Sequence, residues 1–339
     1  MEKKEVLVTG GAGYIGSHTV IELVEAGYQP IIVDDFRNSQ KWIVDRLEEI
    51  TGQKMICYNF DCSSETQMRE VFTKHPSLNA IIHFAADKAV GESVQLPLKY
   101  YRNNVGATAN VLQSMLSSGV EHFVFSSSCT VYGQPENPIV TEDTPIQKAA
   151  SPYGATKIAC EQMTKFTVES GANIKATLLR YFNPIGAHPS SKIGELPQGV
   201  PNNLVPYITQ TAKGIRKELT VHGDDYNTLD GTCVRDYIHV VDLAKAHVKA
   251  MERSLKITEP RCDAFNIGTG KGSTVLEIIN TFEEVNKLKL PYKIGPRRDG
   301  DVEQIYADVN KAKIELHWEA EYGIKEALMH SWQWEQSID

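Results

Sequence analysis

Val6-Leu7-Val8-Thr9-Gly10-Gly11-Ala12-Gly13-Tyr14-Ile15-Gly16 opens the chain with an apolar run that breaks into glycines and then resumes at helical spacing. An extended Val-Leu-Val strand turns into a helix within a few residues only where the backbone can take unusual angles and pack closely. Gly10, Gly13 and Gly16 allow both. The helix that follows would bury Ile15, Val20, Leu23 and Val24 and aim its unpaired N–H groups at an anionic pyrophosphate. A second strand, Ile31-Ile32-Val33, ends in Asp34 at about the ~20-residue offset of a ribose-reading carboxylate. Strand, glycine loop, helix and strand-end acid together predict a dinucleotide site. Asp34 would accept from a free 2′-hydroxyl and repel a 2′-phosphate, which favours NAD over NADP. Ser17 and His18 follow Gly16 where a mononucleotide phosphate loop carries Lys, so ATP or GTP chemistry is disfavoured.

A chain of 339 residues is long enough for one large domain and a smaller one, with a core that needs no disulfide staples. The net charge of −8 gives no footprint for nucleic acid or an anionic membrane. The six cysteines (57, 62, 129, 160, 233, 262) show no zinc spacing, so reduced thiols in the cytoplasm are expected, with no metal site. No signal peptide, membrane span, internal repeat or low-complexity segment is evident.

Beyond Asp34, strands and helices alternate as in a doubly wound parallel sheet of the Rossmann type. Helical spacing covers about 40–50 and 66–74. Met55 to Tyr58 reads as a strand ending near Asp61-Cys62. Ala80 to Phe84 is a continuous apolar run, as a strand buried on both faces requires. Ala85 and Ala86 follow, small enough to let a ligand lie against the backbone. Pro97 starts a helix with apolar Leu98, Tyr101, Val105, Ala109 and Leu112. The strand His122 to Phe125 empties into Ser126-Ser127-Ser128-Cys129-Thr130. Ser151 can cap a helix with Pro152 at its first position, which sets Tyr153 and Lys157 four apart on one face. Of 14 tyrosines only Tyr153 has Lys four residues later. The pair starts the helix after the fifth strand, downstream of a strand-end Ser, so all three can converge on the crevice where a nicotinamide would lie.

A strand over 176–180 leads to a long loop, about 186–201, of the kind that is usually functional or disordered. It feeds Asn202-Asn203 and an apolar helix, 204–213, whose amino end could face a phosphate. The acidic loop 223–232 reads as solvated rather than as a calcium site, because Leu229 occupies a ligand slot. Phe265-Asn266-Ile267 could return a last strand to the sheet. The division expected is an NAD-binding part, 1–183 with about 236–268, and a discontinuous α/β substrate part, about 184–235 and 269–339.

Gly10-x-x-Gly13-x-x-Gly16, Ser128 and Tyr153-x-x-x-Lys157 resemble the extended branch of the short-chain dehydrogenase/reductase superfamily. Within that branch the likeness narrows to the UDP-glucose 4-epimerase (UDP-galactose 4-epimerase) family. It runs nearly end to end: Val6 to Thr19, His83 to Ala86, Lys88 to Val94, Tyr100 to Val105, Phe125 to Gly133, Ser151 to Lys157, Leu179 to Pro184, Pro197 to Leu204, Val234 to His239 and Arg297 to Asp301. The resemblance implies a homodimer and galactose metabolism. It implies NAD contacts from the glycine loop with Tyr14 and Ile15, from Asp34, Asn38 and Ser39, and from Asp61 and Cys62. Further NAD contacts fall on Phe84, Ala85, Ala86, Lys88, Asn103, Ser126, Tyr153, Lys157, Tyr181 and Phe182. UDP-glucose or UDP-galactose would meet Ser128, Tyr153, Asn183, Asn203, Leu204, His222, Arg235, Arg298 and Asp301. Two positions depart from the family pattern. His222 stands where an aromatic often meets uracil, and Ile305 where residue size influences acceptance of N-acetylated sugars, which favours the plain hexoses.

The implied mechanism follows from the carbon involved. C4 of a sugar is not acidic, so inverting it calls for oxidation to a ketone and return of hydride on the other face. Tyr153 would take the hydroxyl proton, Ser128 hold the same oxygen, and Lys157 bind the nicotinamide ribose; the Lys157 ammonium and the oxidised ring together would lower the phenol pKa by about three units from ~10. A 4,6-dehydratase would need an Asp-Glu pair after the strand-end Ser, where Cys129 and Thr130 stand. UDP-glucuronate epimerisation and a non-catalytic NAD-binding protein are the other readings.

Overall fold

Seven parallel strands frame the larger part of the protein, and the computed structural model describes residues 3–298 and 301–338. In chain order the strands are Glu5–Thr9, Gln29–Val33, Ile56–Tyr58, Leu78–His83, His122–Ser126, Lys175–Tyr181 and Arg261–Ile267. Their order across the sheet is seventh, sixth, fifth, fourth, first, second, third. The winding reverses between the first and fourth strands, and a crevice opens there at the carboxyl ends. Side chains alternate between two cores. Val6, Val8 and Ile32 pack under helices Tyr14–Glu25 and Val240–Ser254, while Leu7, Ile31 and Val33 face helices Glu65–Lys74 and Gly106–Ser118. Burial on both faces is why these strands read as unbroken apolar runs rather than as alternating ones.

The smaller part was less legible. A second sheet orders Gly272–Thr274, Val234–His239, Gln304–Ala307 and Ile139–Val140, with Asn183–Ile185 also paired to Val234–His239. Leu219–His222 pairs with Tyr292–Gly295. Helices Leu204–Ala212, Val275–Asn286 and Ile324–Ser337 close a separate core around Ile185, Val221, Tyr237, Phe282 and Leu328. Two stretches cross the expected division. Ala312, Leu316 and Trp318 pack into the core under the first strand, and Ile139–Val140 joins the second sheet. One apolar stripe also differs from expectation: Leu98 is 70% and Tyr101 43% exposed, while Tyr100 is fully buried. The helix that starts at Pro97 takes a π-helical turn over Tyr101–Val105 before continuing as Gly106–Ser118. The extra residue puts Asn103 in the crevice and turns Asn104 inward. Such bulges recur at functional sites.

Candidate active site

The glycine loop closes the crevice floor by contact. Gly10 has φ +68°, and a Cβ there would lie 2.9 Å from the Ala85 nitrogen. A Cβ on Gly16 would overlap the Gly10 carbonyl oxygen, so the helix can begin this close to the strand only with glycine there. Gly13 has an ordinary φ of −74° and stands at the helix N-cap. Asp34 is buried, with the Phe36 N–H (2.9 Å) and the Ser39 hydroxyl (2.8 Å) on Oδ1 and the Ala12 N–H (3.0 Å) on Oδ2. Burial raises its pKa and these three donors oppose the rise. Oδ2 keeps an open lone pair for a ribose hydroxyl. A cradle that any Cβ would fill, beside a carboxylate with acceptor capacity to spare, fits a dinucleotide.

The crevice widens into a cleft of about 1450 Å³ between the two parts. All the residues expected to touch NAD or the nucleotide sugar line it except Ser128 and Phe182. Tyr181 and Asn183 face the cleft, so strand alternation turns Phe182 away; it packs instead with Val131, Tyr132, Val140 and Ile305. The Phe182 side chain thus serves the core, which leaves its backbone for the expected contact with the cofactor. Ser128 lies under the wall, buried, and accepts from the Thr130 N–H at 3.2 Å.

Ser151 caps helix Pro152–Glu169 through the Gly154 N–H, with Pro152 in the first turn, as its sequence predicts. Tyr153 and Lys157 on that helix are 7% and 3% exposed. Lys157 Nζ donates to the Ser126 carbonyl oxygen at 2.7 Å and sits 5.9 Å from the Tyr153 ring centre. Asn104 ties the neighbouring loop to this helix: Oδ1 accepts from the Asp87 N–H (2.8 Å), and Nδ2 donates to the Asp87 carbonyl and to Thr156 Oγ1 (both 3.0 Å). The expected lowering of the phenol pKa is absent from the protein alone. Burial pushes Tyr153 well above 10.0, and only the nearby Ser128 hydroxyl pulls it down. Burial also lowers Lys157 from 10.5 to about 8, against Cys160 and Glu161. A low-dielectric pocket penalises both charged forms, so a cationic partner must come with the ligand.

The Lys157 shift has a testable sign. A depressed lysine pKa means that the folded state resists the ammonium, with the full cost below about 8 and relief as pH rises towards 10.5. Lys157→Met should therefore stabilise the dinucleotide-free protein by roughly 2 kcal/mol more at pH about 7 than at pH about 9.5. Equal effects in denaturant titrations at the two pH values would contradict this.

On the sugar side, Arg298 Nη2 meets Asp301 Oδ1 at 2.7 Å, and Arg235 Nη2 lies 3.8 Å from the same oxygen. His222 is exposed, with Nδ1 3.3 Å from the Pro296 carbonyl oxygen, and Ile305 is buried at the wall. Asn203 stands at the N-cap of Leu204–Ala212 without capping it; its Nδ2 donates to Glu195 Oε1 at 2.8 Å. The first turn of that helix thus faces the cleft with its N–H groups uncapped. Sequence reasoning passed over Arg37 and Glu195. Arg37 lies across the mouth of the dinucleotide crevice, bonded to Asp35, to Asp61 (3.1 Å) and to Asn103 (3.0 Å). Its only signal was its place between Asp34 and Asn38. Glu195 was signalled by the long loop that carries it. Among the described residues no group of three or more His, Cys, Asp or Glu side chains is placed to hold a metal ion.

Comparison with known proteins gives these residues their family. Residues 7–330 match the family model described as GDP-mannose 4,6 dehydratase. The UDP-glucose 4-epimerase of Bacillus subtilis is 49% identical over 98% of this chain and 97% of its own length. The crystal structure of the Stenotrophomonas maltophila UDP-glucose-4-epimerase, with bound NAD and formylated UDP-arabinopyranose, superposes with a TM-score of 0.95 at 43% identity over 98% of both chains. That of the Bifidobacterium longum UDP-glucose 4-epimerase, in complex with NAD+ and UDP, gives 0.93 at 45% identity, again over 98% of both. Likeness of this extent in sequence and in fold leads to one assignment: the chain belongs to the UDP-glucose 4-epimerases, in the wider family that the dehydratase model describes.

Proposed function

We propose that the protein interconverts UDP-glucose and UDP-galactose by reversible oxidation at C4, with NAD held in the glycine-loop crevice. The observation that carries this reading is the convergence of Tyr153, Lys157 and Ser126 on one cleft, with the Ser128 hydroxyl beside Tyr153 under its wall; the cleft floor suits a dinucleotide and the far wall carries Arg235 and Arg298. Bound NAD supplies the two-electron oxidation and its reversal. Tyr153 exchanges the proton of the 4-hydroxyl, and Ser128 steadies the oxygen and favours the phenolate. Lys157, tied to the Ser126 carbonyl, points its ammonium along the strand end, where a ribose hydroxyl would take up its remaining donors. Arg235 and Arg298 hold the diphosphate while the sugar turns over. The two positions that would hold a dehydratase's acid–base pair are unsuited to it: burial pushes the Cys129 thiol up to about 12, and the Thr130 hydroxyl is buried without a partner.

The test is product analysis after incubation with UDP-galactose. UDP-glucose should form with no net consumption of dinucleotide, whereas a 4-keto-6-deoxy sugar would replace the reading. We place the enzyme in the cytoplasm on the strength of six free cysteines; among the described residues no helix is long and apolar enough to cross a membrane. A homodimer is supported by Leu98 and Phe166, which expose 70% and 65% of their surface on helices that flank each other. Light scattering should give twice the 37.8 kDa chain mass.

A further inference from the structure

The loop between Ile185 and Leu204 contains only an isolated bridge, Ala187 to Gly194, yet it is held at many points. Three residues one helical turn apart on helix Ile324–Ser337 grip it. Ser331 Oγ accepts from the Gly186 N–H (3.1 Å), Trp334 Nε1 donates to the Glu195 carbonyl (2.9 Å), and Ser337 Oγ donates to the Ser191 carbonyl (2.8 Å). Gly194 lies so close to the Trp334 ring that any Cβ would collide with it. Tyr14, the first residue of the helix after the glycine loop, donates to the Gly186 carbonyl at 2.7 Å. With its backbone fixed from behind, Glu195 reaches into the cleft. Its side chain is 9% exposed, and Oε1 takes Lys88 Nζ at 2.9 Å from the NAD-binding wall and Asn203 Nδ2 at 2.8 Å from the sugar wall.

A carboxylate on a largely covered side chain is an odd occupant for a cleft that suits two diphosphates, unless its charge is needed there. Lys88 supplies the compensating charge, and the pair spans the gap between the two parts. We propose that the Glu195–Lys88 contact is a latch that holds segment 195–201 over the sugar end of the cleft, and that Glu195 is a positioning residue which keeps the ketone in place while it turns. The inference rests on the epimerase reading above. A ketone that escapes carries away no hydride: the sugar has given up a hydride and its hydroxyl proton, two electrons and two protons in all, and the enzyme is left with reduced dinucleotide and cannot begin another cycle. Retention is therefore part of turnover, and a lid of this kind serves it.

The experiment follows dihydronicotinamide absorbance and the filtrate during turnover of UDP-galactose by the holoenzyme. Wild-type protein should form UDP-glucose with a steady, low absorbance; failure of wild type to form it would overturn the epimerase reading and not the latch as such. Glu195→Ala should accumulate reduced enzyme to about fivefold the wild-type level, with UDP-4-ketohexose trapped in the filtrate and activity that decays with turnover. Glu195→Gln, which keeps an acceptor oxygen without the charge, should fall between the two, and it replaces Glu195→Ala should far-UV circular dichroism show that variant unfolded. Slower turnover without accumulation of reduced enzyme, or kinetics unchanged from wild type, would overturn the latch.

Discussion

Tyr153→Phe should lower kcat by about three to four orders of magnitude, near the upper end of what one positioned proton-transfer group supplies. About 4 kcal/mol of barrier corresponds to the lower figure. The phenol hydroxyl is the group that can exchange a proton with the 4-hydroxyl from the buried face of the cleft, and burial raises its pKa. The protein without ligands thus stores the phenol protonated, and the ionised form gains from whatever cationic charge the bound ligand brings. Phenylalanine keeps the ring and its packing, so the loss should fall on kcat. KM for UDP-galactose, dinucleotide retained through purification and Tm should stay near wild type. Steady-state kinetics with product analysis would decide it: turnover within tenfold of wild type removes Tyr153 from proton transfer, and loss of bound dinucleotide reassigns it to binding.

The dinucleotide half was legible in the sequence because its signals are local. A strand buried on both faces is a run of Val, Leu and Ile; a strand-to-helix turn this tight needs Gly10 and Gly16; and Ser151-Pro152 marks a helix start from its own chemistry. The second sheet was not legible, because its strands are short and pair across long separations. Ile139–Val140 is two residues long and finds its partner at Tyr306–Ala307. The same limit hid Glu195, whose meaning lies in Lys88 and Trp334, far away in sequence on either side. What the protein alone contributes to the Tyr153 shift was hidden for another reason. Spacing places a lysine one turn from the tyrosine, but it does not tell that both are sealed from water or that Lys157 spends its short contact on the Ser126 carbonyl.

Burial also explains what holds the catalytic strand end in register with the catalytic helix, and it makes Glu161→Ala the substitution with the largest expected effect on stability. Glu161 lies one turn beyond Lys157, and its side chain and that of Arg180 are 4% and 7% exposed. Oε1 accepts from the Ser127 hydroxyl (2.5 Å) and from Arg180 Nε (3.0 Å), and Oε2 accepts from Arg180 Nη2 (2.8 Å). Arg180 Nη1 donates to the Tyr132 hydroxyl (3.1 Å), which donates to Asn266 Oδ1 (2.6 Å). Removal of the carboxylate leaves a guanidinium in the interior with two neutral acceptors on Nη1, the Tyr132 hydroxyl and the Glu142 carbonyl (3.3 Å), in place of a bidentate anion. Such a break costs about 3–5 kcal/mol, and a Tm fall of about 4–7 °C for a chain of this length. Removal of both charges is milder, since the pair's attraction only partly offsets its desolvation: Glu161→Ala combined with Arg180→Met should recover at least about half of the loss. Because Ser127 precedes Ser128, the single variant should also lose about tenfold in kcat at a temperature where it remains folded, through a strand end no longer tied to the helix that carries Tyr153 and Lys157. Denaturant titrations of the two single variants and the double variant would test the account. A loss below about 1 kcal/mol for Glu161→Ala, or a double variant no more stable than either single, would mean that the guanidinium finds water or another anion and that the pair is not what joins strand to helix.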